Sequence, residues 1–259
     1  MIKTICFFLI FLSGTISAQV KTVIEYTFQD QNNYVCSSNL YVVNNESIYK
    51  INDPRESGNY KIDVENNSYY GVYNDKISRL FYSTEKNTIT RIPLYNSEII
   101  YSFDSDNLKY ELTGKTKKIE SYNCQEARLS LNDRKYTIWF MPEIQINFGP
   151  YKLNGLPGLI MEVTEETSNI KITFKSMKKL TETNEFDSLK KYILSKPVLD
   201  YNKYEETITE LMISKKNKQI ANANENGITI EFAKGQISFT TYLIDIPTNL
   251  VSKLENISQ

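Results

Sequence analysis

The stretch that decides the fold spans residues 149–163 and reads GPYKLNGLPGLIMEV. Pro157 restricts its own φ to a value that suits the second position of a β-turn, and Gly158 readily adopts the positive φ that a type II turn needs next. Gly155 lets the chain pass close to another backbone. The apolar run that opens at Leu159 is typical of a strand buried on both faces. The pattern therefore predicts a tight corner that leads a buried strand into a sheet.

The same corner has a second interpretation, as a surface that recognises a partner. Leu156 precedes a proline, which biases it to an extended conformation. We favour the structural role, because a Gly-Pro corner followed by an apolar strand has a sufficient reason in folding. The candidate residues for either role are Gly155, Leu156, Pro157, Gly158, Leu159 and Ile160, together with Trp139, Gly149, Pro150 and Tyr151.

Two hairpins are predicted around this corner. Residues 117–131 alternate between apolar and polar side chains and predict one long strand. Residues 132–134 (Asn-Asp-Arg) have turn character, and residues 135–141 (KYTIWFM) form the partner strand. The second hairpin pairs residues 159–164 with residues 170–177 across a polar turn.

Short period-two segments separated by turn clusters fill most of the remaining chain. They lie at residues 20–28, 39–43, 47–51, 60–64, 68–73, 76–82, 88–94, 99–103, 108–112, 228–233 and 236–244. Many short strands at regular spacing predict an antiparallel meander and not βαβ units. The predicted fold is mostly β, an antiparallel meander forming an open or half barrel, with two or three helices in the C-terminal third.

The predicted helices come late in the chain. The first covers residues 184–193 and has Asn184 as its cap; its apolar face consists of Phe186, Leu189 and Ile193. The second begins at Asn202, with Glu205 completing a pattern like a capping box, and runs to about residue 222. A short third helix is predicted over 248–255. The second helix carries an apolar stripe, which we expect against the concave side of the sheet: Ile208, Leu211 and Met212.

The N-terminus predicts a secretory signal peptide over residues 1–18. One cation, Lys3, precedes an uncharged apolar run over 5–12, and small residues follow up to Ala18. The run is shorter than the ~20 residues that a spanning helix needs, which disfavours a retained anchor. Cleavage after Ala18 would leave residues 19–259, which we predict to form a single β-rich domain in the periplasm or outside the cell.

Composition excludes several classes of catalyst and ligand. The chain has no histidine, which rules out a Ser-His-Asp triad, a Cys-His pair and a histidine metal site. Its 30 Lys+Arg balance 31 Asp+Glu, so the chain shows no electrostatic footprint for nucleic acid. We predict no catalytic residue, no cofactor and no metal site.

Two cysteines remain after the predicted cleavage, Cys36 and Cys124. An exported protein can keep a disulfide. A bridge that closes a loop of this length would stabilise the fold by about 4–5 kcal/mol in the chain-entropy description. The alternative is two separate thiols that pack as small hydrophobic side chains. The sequence leaves both possibilities open.

The string GLPGLI at residues 155–160, in this setting, resembles the GLPGLI family. The matching positions before it are Cys124, Ala127, the turn at 132–134, Trp139-Phe140 and Gly149-Pro150. The chain departs from the family pattern at Ile144-Gln145, where a proline is expected after the isoleucine. The resemblance implies an exported protein of gram-negative bacteria, in a family without a settled function.

We expect a non-enzymatic protein of the periplasm or cell envelope that binds an envelope partner or an apolar ligand held in a cleft of the sheet. One alternative is a histidine-free hydrolase that uses paired carboxylates such as Glu143 and Glu162, although solvated acids are common on strands and turns. Another is a scaffold in an outer-membrane assembly. The lysine pairs at 178–179 and 215–216 would suit peripheral association with an anionic membrane surface, without a transmembrane span.

Overall fold

The computed structural model describes most of the central chain. The described residues are 21–31, 33–53, 79–94, 97–132 and 134–225. The signal peptide, the strands predicted over 60–64, 68–73, 228–233 and 236–244, and the helix predicted over 248–255 lie outside them. The strand predicted over 76–82 is described only from residue 79 onward.

Within the described residues the chain forms eleven strands and two helices. The strands are β1 (Lys21–Gln29), β2 (Val35–Val43), β3 (Glu46–Asn52), β4 (Leu80–Ser83), β5 (Asn87–Leu94), β6 (Ser97–Asp104), β7 (Tyr110–Ile119), β8 (Tyr122–Leu131), β9 (Arg134–Met141), β10 (Leu159–Glu165) and β11 (Lys171–Lys179). Both helices follow β11. The predicted fold class is confirmed: the protein is mostly β, with an open antiparallel sheet and late helices.

The strands form one sheet in the order β6-β5-β4-β3-β2-β1-β11-β10-β9-β8-β7. Strands β1 to β6 make one meander and strands β7 to β11 make a second. The antiparallel pairing of β1 with β11 joins the two meanders at the middle of the sheet. Strands β6 and β7 follow each other in the chain, yet they lie at opposite edges of the sheet.

The short connection between β6 and β7 forces the sheet to curl. From Asp104 to Tyr110 an extended chain spans at most about 20 Å. Eleven strands laid flat at their usual spacing would hold the two edge strands about 48 Å apart. A 3₁₀ turn at Ser105–Asn107 shortens the connection further. The sheet is therefore a half barrel with a concave face and an outer face.

The strand predicted over residues 117–131 is wrong, because this stretch contains two strands, β7 and β8. They pair with each other across a turn in which Glu120 has a φ of 54°. Left-handed turns are usually marked by glycine or asparagine. No such residue marks this turn, and the polar alternation continues across it, which is why the sequence pattern missed the reversal.

Helix α1 (Asn184–Leu194) confirms the first predicted helix. Phe186 and Ile193 are buried, and Leu189 packs beside them, as the apolar spacing predicted. The side chain of Asn184 does not cap the helix. The carbonyl of Thr183 accepts the first helical hydrogen bond, from the N–H of Asp187 at 2.8 Å.

Helix α2 (Tyr201–Glu225) begins one residue earlier than predicted and has a different cap. A carboxylate oxygen of Asp200 accepts the backbone N–H of Lys203 at 2.8 Å, so Asp200 occupies the capping position that the sequence suggested for Asn202. Ile208 is buried as expected, but Leu211 is 43% exposed. The buried face of α2 is shifted toward its start, where Tyr204 is fully buried against the sheet.

We expect Asp200→Ala to lower the free energy of unfolding by about 1 kcal/mol, because it removes the side-chain oxygen that accepts the Lys203 N–H in the first turn of α2. Asn202→Ala is the matched control and should change stability by a few tenths of a kcal/mol. Urea denaturation of both variants measures the difference. A larger loss for Asn202→Ala would restore the cap that the sequence suggested.

Candidate functional site

The predicted corner lies inside the half barrel. The loop between β9 and β10 enters the concave face, and its side chains Tyr151, Lys152, Leu153 and Leu156 are all buried there. Leu159, Ile160 and Met161 follow as buried residues of β10, as the apolar run predicted. We call residues 142–158 the motif loop. It fills the inside of the curled sheet with the chain's own side chains.

The two glycines of the corner have exchanged the roles that the sequence suggested. Gly158 lacks a positive φ; its N–H donates to the carbonyl of Leu156 at 2.9 Å and closes a three-residue turn around Pro157. A Cβ on Gly158 would lie 2.4 Å from the carbonyl oxygen of Met141. Gly155 has the positive φ, 93°, and open space around its Cβ position. The expected type II turn is therefore wrong.

A buried lysine that the sequence reasoning missed anchors the motif loop. The ammonium of Lys152 is inaccessible to solvent and donates to the hydroxyl of Tyr101 at 3.1 Å. It also lies 4.6 Å from the ring centre of Phe103 and 5.2 Å from that of Tyr151. Aromatic faces attract a cation most strongly where water is excluded. The sequence contains one signal that could have identified this site: a single lysine between Tyr151 and Leu153, in a mostly apolar stretch.

Polar contacts also bind the motif loop to the strands behind it. The side-chain amide of Asn154 donates to the hydroxyl of Thr88 at 3.0 Å, and its oxygen accepts the N–H of Gly149 at 3.3 Å. Tyr110 donates to the carbonyl of Asn154 at 2.9 Å. Each bond satisfies a buried group that would otherwise destabilise the fold. The Gly-Pro-Tyr-Lys segment therefore has a packing role in this structure.

The outer face of the first meander is apolar and covered by α1. Its buried side chains pack against Phe186 and Ile193 of the helix: Val23, Tyr41, Ile48, Leu80, Tyr82 and Ile100. This packing explains why a helix of moderate length is stable here, since most helical stability in proteins comes from an apolar face in contact with the rest of the fold.

Polar contacts at three places along α1 and just after it fix the helix on this apolar half. Near the start of the helix, Glu185 accepts from Tyr41 at 2.9 Å and from Lys50 at 3.0 Å. In the middle, Lys190 donates to Glu46 at 2.7 Å. After the helix end, Lys196 pairs with Glu98 at 2.9 Å.

Glu98 also receives a hydrogen bond from a buried guanidinium. Arg91 has a fully buried side chain and donates to Glu98 at 2.6 Å. Tyr192 of α1 donates to the same carboxylate. Burial by itself would raise the pKa of Glu98, but the hydrogen bonds from Tyr192, Lys196 and Arg91 outweigh it and hold the pKa below its usual range.

Most outward side chains of the second meander are polar; Cys124, the cross-strand partner of Lys117, is a buried exception. Because Ile138 and Phe140 point into the core, Trp139 between them points outward. The Lys117 ammonium lies 4.3 Å from the centre of the Trp139 ring and donates to Glu162 at 3.1 Å. We call the outward side chains of β7 to β11 the polar face; its central members are Lys117, Thr137, Trp139, Glu162, Thr164 and Lys171.

Of the two predicted carboxylates, Glu162 belongs to this polar face and Glu143 lies in the motif loop. Glu143 is exposed at the start of the motif loop, and Glu162 forms ion pairs with Lys117 at 3.1 Å and Lys171 at 3.8 Å. The groups that bind Glu162 are therefore lysines. Burial raises the pKa of the nearby Cys124 thiol, and both carboxylates raise it further.

The two cysteines are separate thiols in this structure. Cys36 is half-buried on β2, and Cys124 is buried on β8. Cys124 belongs to the larger apolar cluster and Cys36 packs against it, each as a small apolar side chain, which is the second of the two possibilities that the sequence left open.

The fold and these surfaces define a single-sheet β domain with a filled concave face, one helix-covered outer half and one polar outer half. Residues 33–206, more than half of the chain, match the family described as N-glycanase peptide, N-terminal domain. The protein therefore belongs to this family. No curated protein matches the chain.

Solved structures that the chain resembles include two crystal forms of PNGF-II. Each is 15% identical in sequence, with TM-scores of 0.46 and 0.47, and covers 71% and 73% of this chain. The chain spans about a third of the length of PNGF-II, 31% and 33% in the two forms. A LolA superfamily protein, NE2245 from Nitrosomonas europaea, is 9% identical with a TM-score of 0.27, over 65% of this chain and 90% of that protein.

Neither helix in the described part of the chain combines the length and the apolar character that crossing a bilayer requires.

We expect Gly158→Ala to lower the free energy of unfolding by about 3 kcal/mol, because the new methyl group would overlap the backbone of Met141. Gly155→Ala should cost about 1 kcal/mol, from backbone strain alone. Urea unfolding measures both. The opposite order would mean that backbone conformation, and not space, selects glycine in this motif.

The acid sensitivity of the α1 contacts gives a second expectation. Because the pKa of Glu98 is lower in the folded than in the unfolded protein, its contribution is present above the unfolded pKa and lost as the pH falls through the folded pKa. Stability of the native chain should therefore fall below about pH 4. Glu98→Gln should cost about 3 kcal/mol near neutral pH, since it removes the carboxylate partner of buried Arg91.

The same variant should also show a weaker dependence of unfolding free energy on pH in the acid range. Thermal unfolding at a series of pH values measures this. The exposed Glu111→Gln is the matched control and should leave the pH dependence unchanged. An identical acid slope in Glu98→Gln and the native chain would contradict the assignment.

Proposed function

We propose that this protein is an exported, non-enzymatic binding module of the bacterial cell envelope, and that its polar face binds a partner. The predicted signal peptide over residues 1–18 supports export to the periplasm or beyond. Membership of a family of N-terminal domains supports a module that works beside another component. The resemblance to the GLPGLI family remains a proposal of the same kind.

The observation that carries this proposal is the contrast between the inside and the outside of the sheet. The inside is filled by Tyr151, Lys152, Leu153 and Leu156 of the motif loop, and by Tyr204 of α2. A carrier of apolar molecules needs an open interior. The described interior is packed, which favours binding at the surface over carriage inside.

The polar face has the composition of a surface that binds a partner. Trp139 is the single tryptophan of the chain and lies at its centre, half-buried and flanked by Lys117 and Glu162. Tryptophan is enriched among the residues that dominate binding energy, because its large ring buries much area at little cost in entropy. Charged neighbours at the rim provide specificity.

The same geometry argues against a carboxylate hydrolase. Such an enzyme needs one acid that keeps a proton in a desolvated cleft and a second one close to it. Glu143 is exposed, and Glu162 is bound by Lys117 and Lys171. We therefore propose a structural role for Glu162, which holds Lys117 against the Trp139 ring.

The family name also suggests the setting of this module. The relatives are described as N-terminal domains of an N-glycanase, so we propose that the partner belongs to a glycan-processing system of the envelope or its surroundings. Peripheral association with the outer membrane, through the lysines at 178–179 and 215–216, is compatible with this setting.

Site-specific photocrosslinking tests the proposal. A photoreactive side chain at Thr164, on the polar face, should capture an envelope component in cells; the same group at Leu194, an exposed residue of α1, is the control. Adding Trp139→Ala to the Thr164 probe should lower the crosslinking yield at least several-fold, because an anchor residue of this type contributes about 2 kcal/mol or more.

Two results would contradict the proposal. Equal yields at Thr164 and Leu194, unchanged by Trp139→Ala, would show that the polar face has no preferred partner. Release of a sugar or peptide product by the purified mature chain from a glycopeptide would show that the protein is an enzyme. Circular dichroism of each variant checks that the fold is intact.

A further inference from the structure

A small groove lies on the outer surface where the two meanders join. Its floor is made by two rows of directly paired residues across β2, β1 and β11. They are Asn39, Glu25 and Ser176 in one row, and Tyr41, Val23 and Lys178 in the other. Leu180, which directly follows β11, and Glu185, in the first turn of α1, close one side. The groove is separate from Trp139 and from the centre of the polar face.

The size of the groove limits what it can hold. Its volume is about 240 Å³, which is below the range of about 300–1,000 Å³ for drug-sized ligands. A single small ring fits these limits, whereas a peptide helix or an acyl chain does not.

The groups around the groove are chemically mixed. Glu25 supplies an acceptor, Lys178 supplies donors, and Asn39 supplies both. Ser176 adds a hydroxyl, and Val23 gives an apolar spot between them. An anion would require mainly donors, and a cation would require mainly acceptors. A polyol fits both, because each of its hydroxyls donates once and accepts as well.

The acidic groups of the groove are held in place before any ligand arrives. Glu25 accepts from Lys175 at 2.8 Å and from Ser176 at 3.3 Å. The hydrogen bond from Lys175 is the main cause that lowers the pKa of Glu25, so the carboxylate is ionised at neutral pH. A carboxylate has about four lone-pair sites, and two bonds leave sites for a ligand.

The opposite wall is fixed in the same manner. Glu185 accepts from Tyr41 at 2.9 Å and from Lys50 at 3.0 Å. Binding therefore does not need to order these side chains, and preorganisation of this kind raises affinity by reducing the entropy lost on binding.

We propose that this groove binds one ring of a neutral carbohydrate. The ring hydroxyls bond Glu25, Asn39 and Lys178, and the apolar face of the ring lies over Val23. A ligand of this size, bound in an open groove, is expected to have a Kd of about 1 mM. This site is independent of the partner proposed for the polar face.

Protein-observed NMR on the folded mature chain provides the test. The probes are glucose, mannose, galactose and N-acetylglucosamine, each titrated alone, with sodium sulfate as the anion control. At least one sugar should shift the amide signals of Asn39 and Tyr41 in a saturable manner, and sulfate should not compete with it.

Two variants make the result specific. Glu25→Leu should weaken binding about tenfold, because it removes the fixed acceptor, and Ser176→Phe should abolish binding by filling the groove. Glu166→Gln, an exposed acid near the polar face, is the matched control and should bind as the native chain does. Thermal unfolding confirms that each variant is folded.

Several outcomes would overturn the inference. One is the absence of any shift at about 50 mM of every sugar, well above the expected Kd. Another is binding that Ser176→Phe leaves unchanged, and a third is a sulfate ion that displaces the sugar. None of these results affects crosslinking at Thr164, so failure of this inference and failure of the proposed function are distinguishable.

Discussion

The rest of the structure depends on the short connection between β6 and β7. Because the two edge strands of an eleven-stranded sheet are joined by so few residues, the sheet has to curl. A curled sheet has an inside, and that inside must be filled by close-packed side chains. The motif loop and the first turns of α2 supply them, and Tyr151, Lys152, Leu153 and Tyr204 are among their buried members.

Because the inside is filled, we assign the proposed binding to the outer surface. There the two meanders have opposite character: the first presents an apolar surface that α1 covers, and the second presents charged and hydroxyl side chains around Trp139. The groove follows from this division, because it lies where the outer surface covered by α1 meets the polar outer surface. Val23 belongs to the apolar cluster under α1, and Glu25, two residues further along β1, is charged.

Sequence reasoning succeeded where the signal is local. Alternating side chains located most strands, and the spacing of Phe186, Leu189 and Ile193 located α1, because burial of one face imposes a period on the sequence. Sequence reasoning failed where the chain contains no local signal, or where two nearby residues carry the same signal. Glu120 turns the chain without glycine, and Asp200 and Asn202 are both acceptable caps, so only the contacts show which one bonds the helix.

The sequence by itself determined the class of the protein: the antiparallel strands, the late helices, the buried strand after the corner and the absence of histidine chemistry. The tertiary structure alone decided the strand order, the aromatic surroundings of Lys152 and the roles of the two glycines. The physical reason is the range of the interactions. Strand and helix patterns repeat over a few residues. In contrast, the space around Gly158 is set by Met141 at the end of β9, and the surroundings of Lys152 are set by Tyr101 and Phe103 on β6.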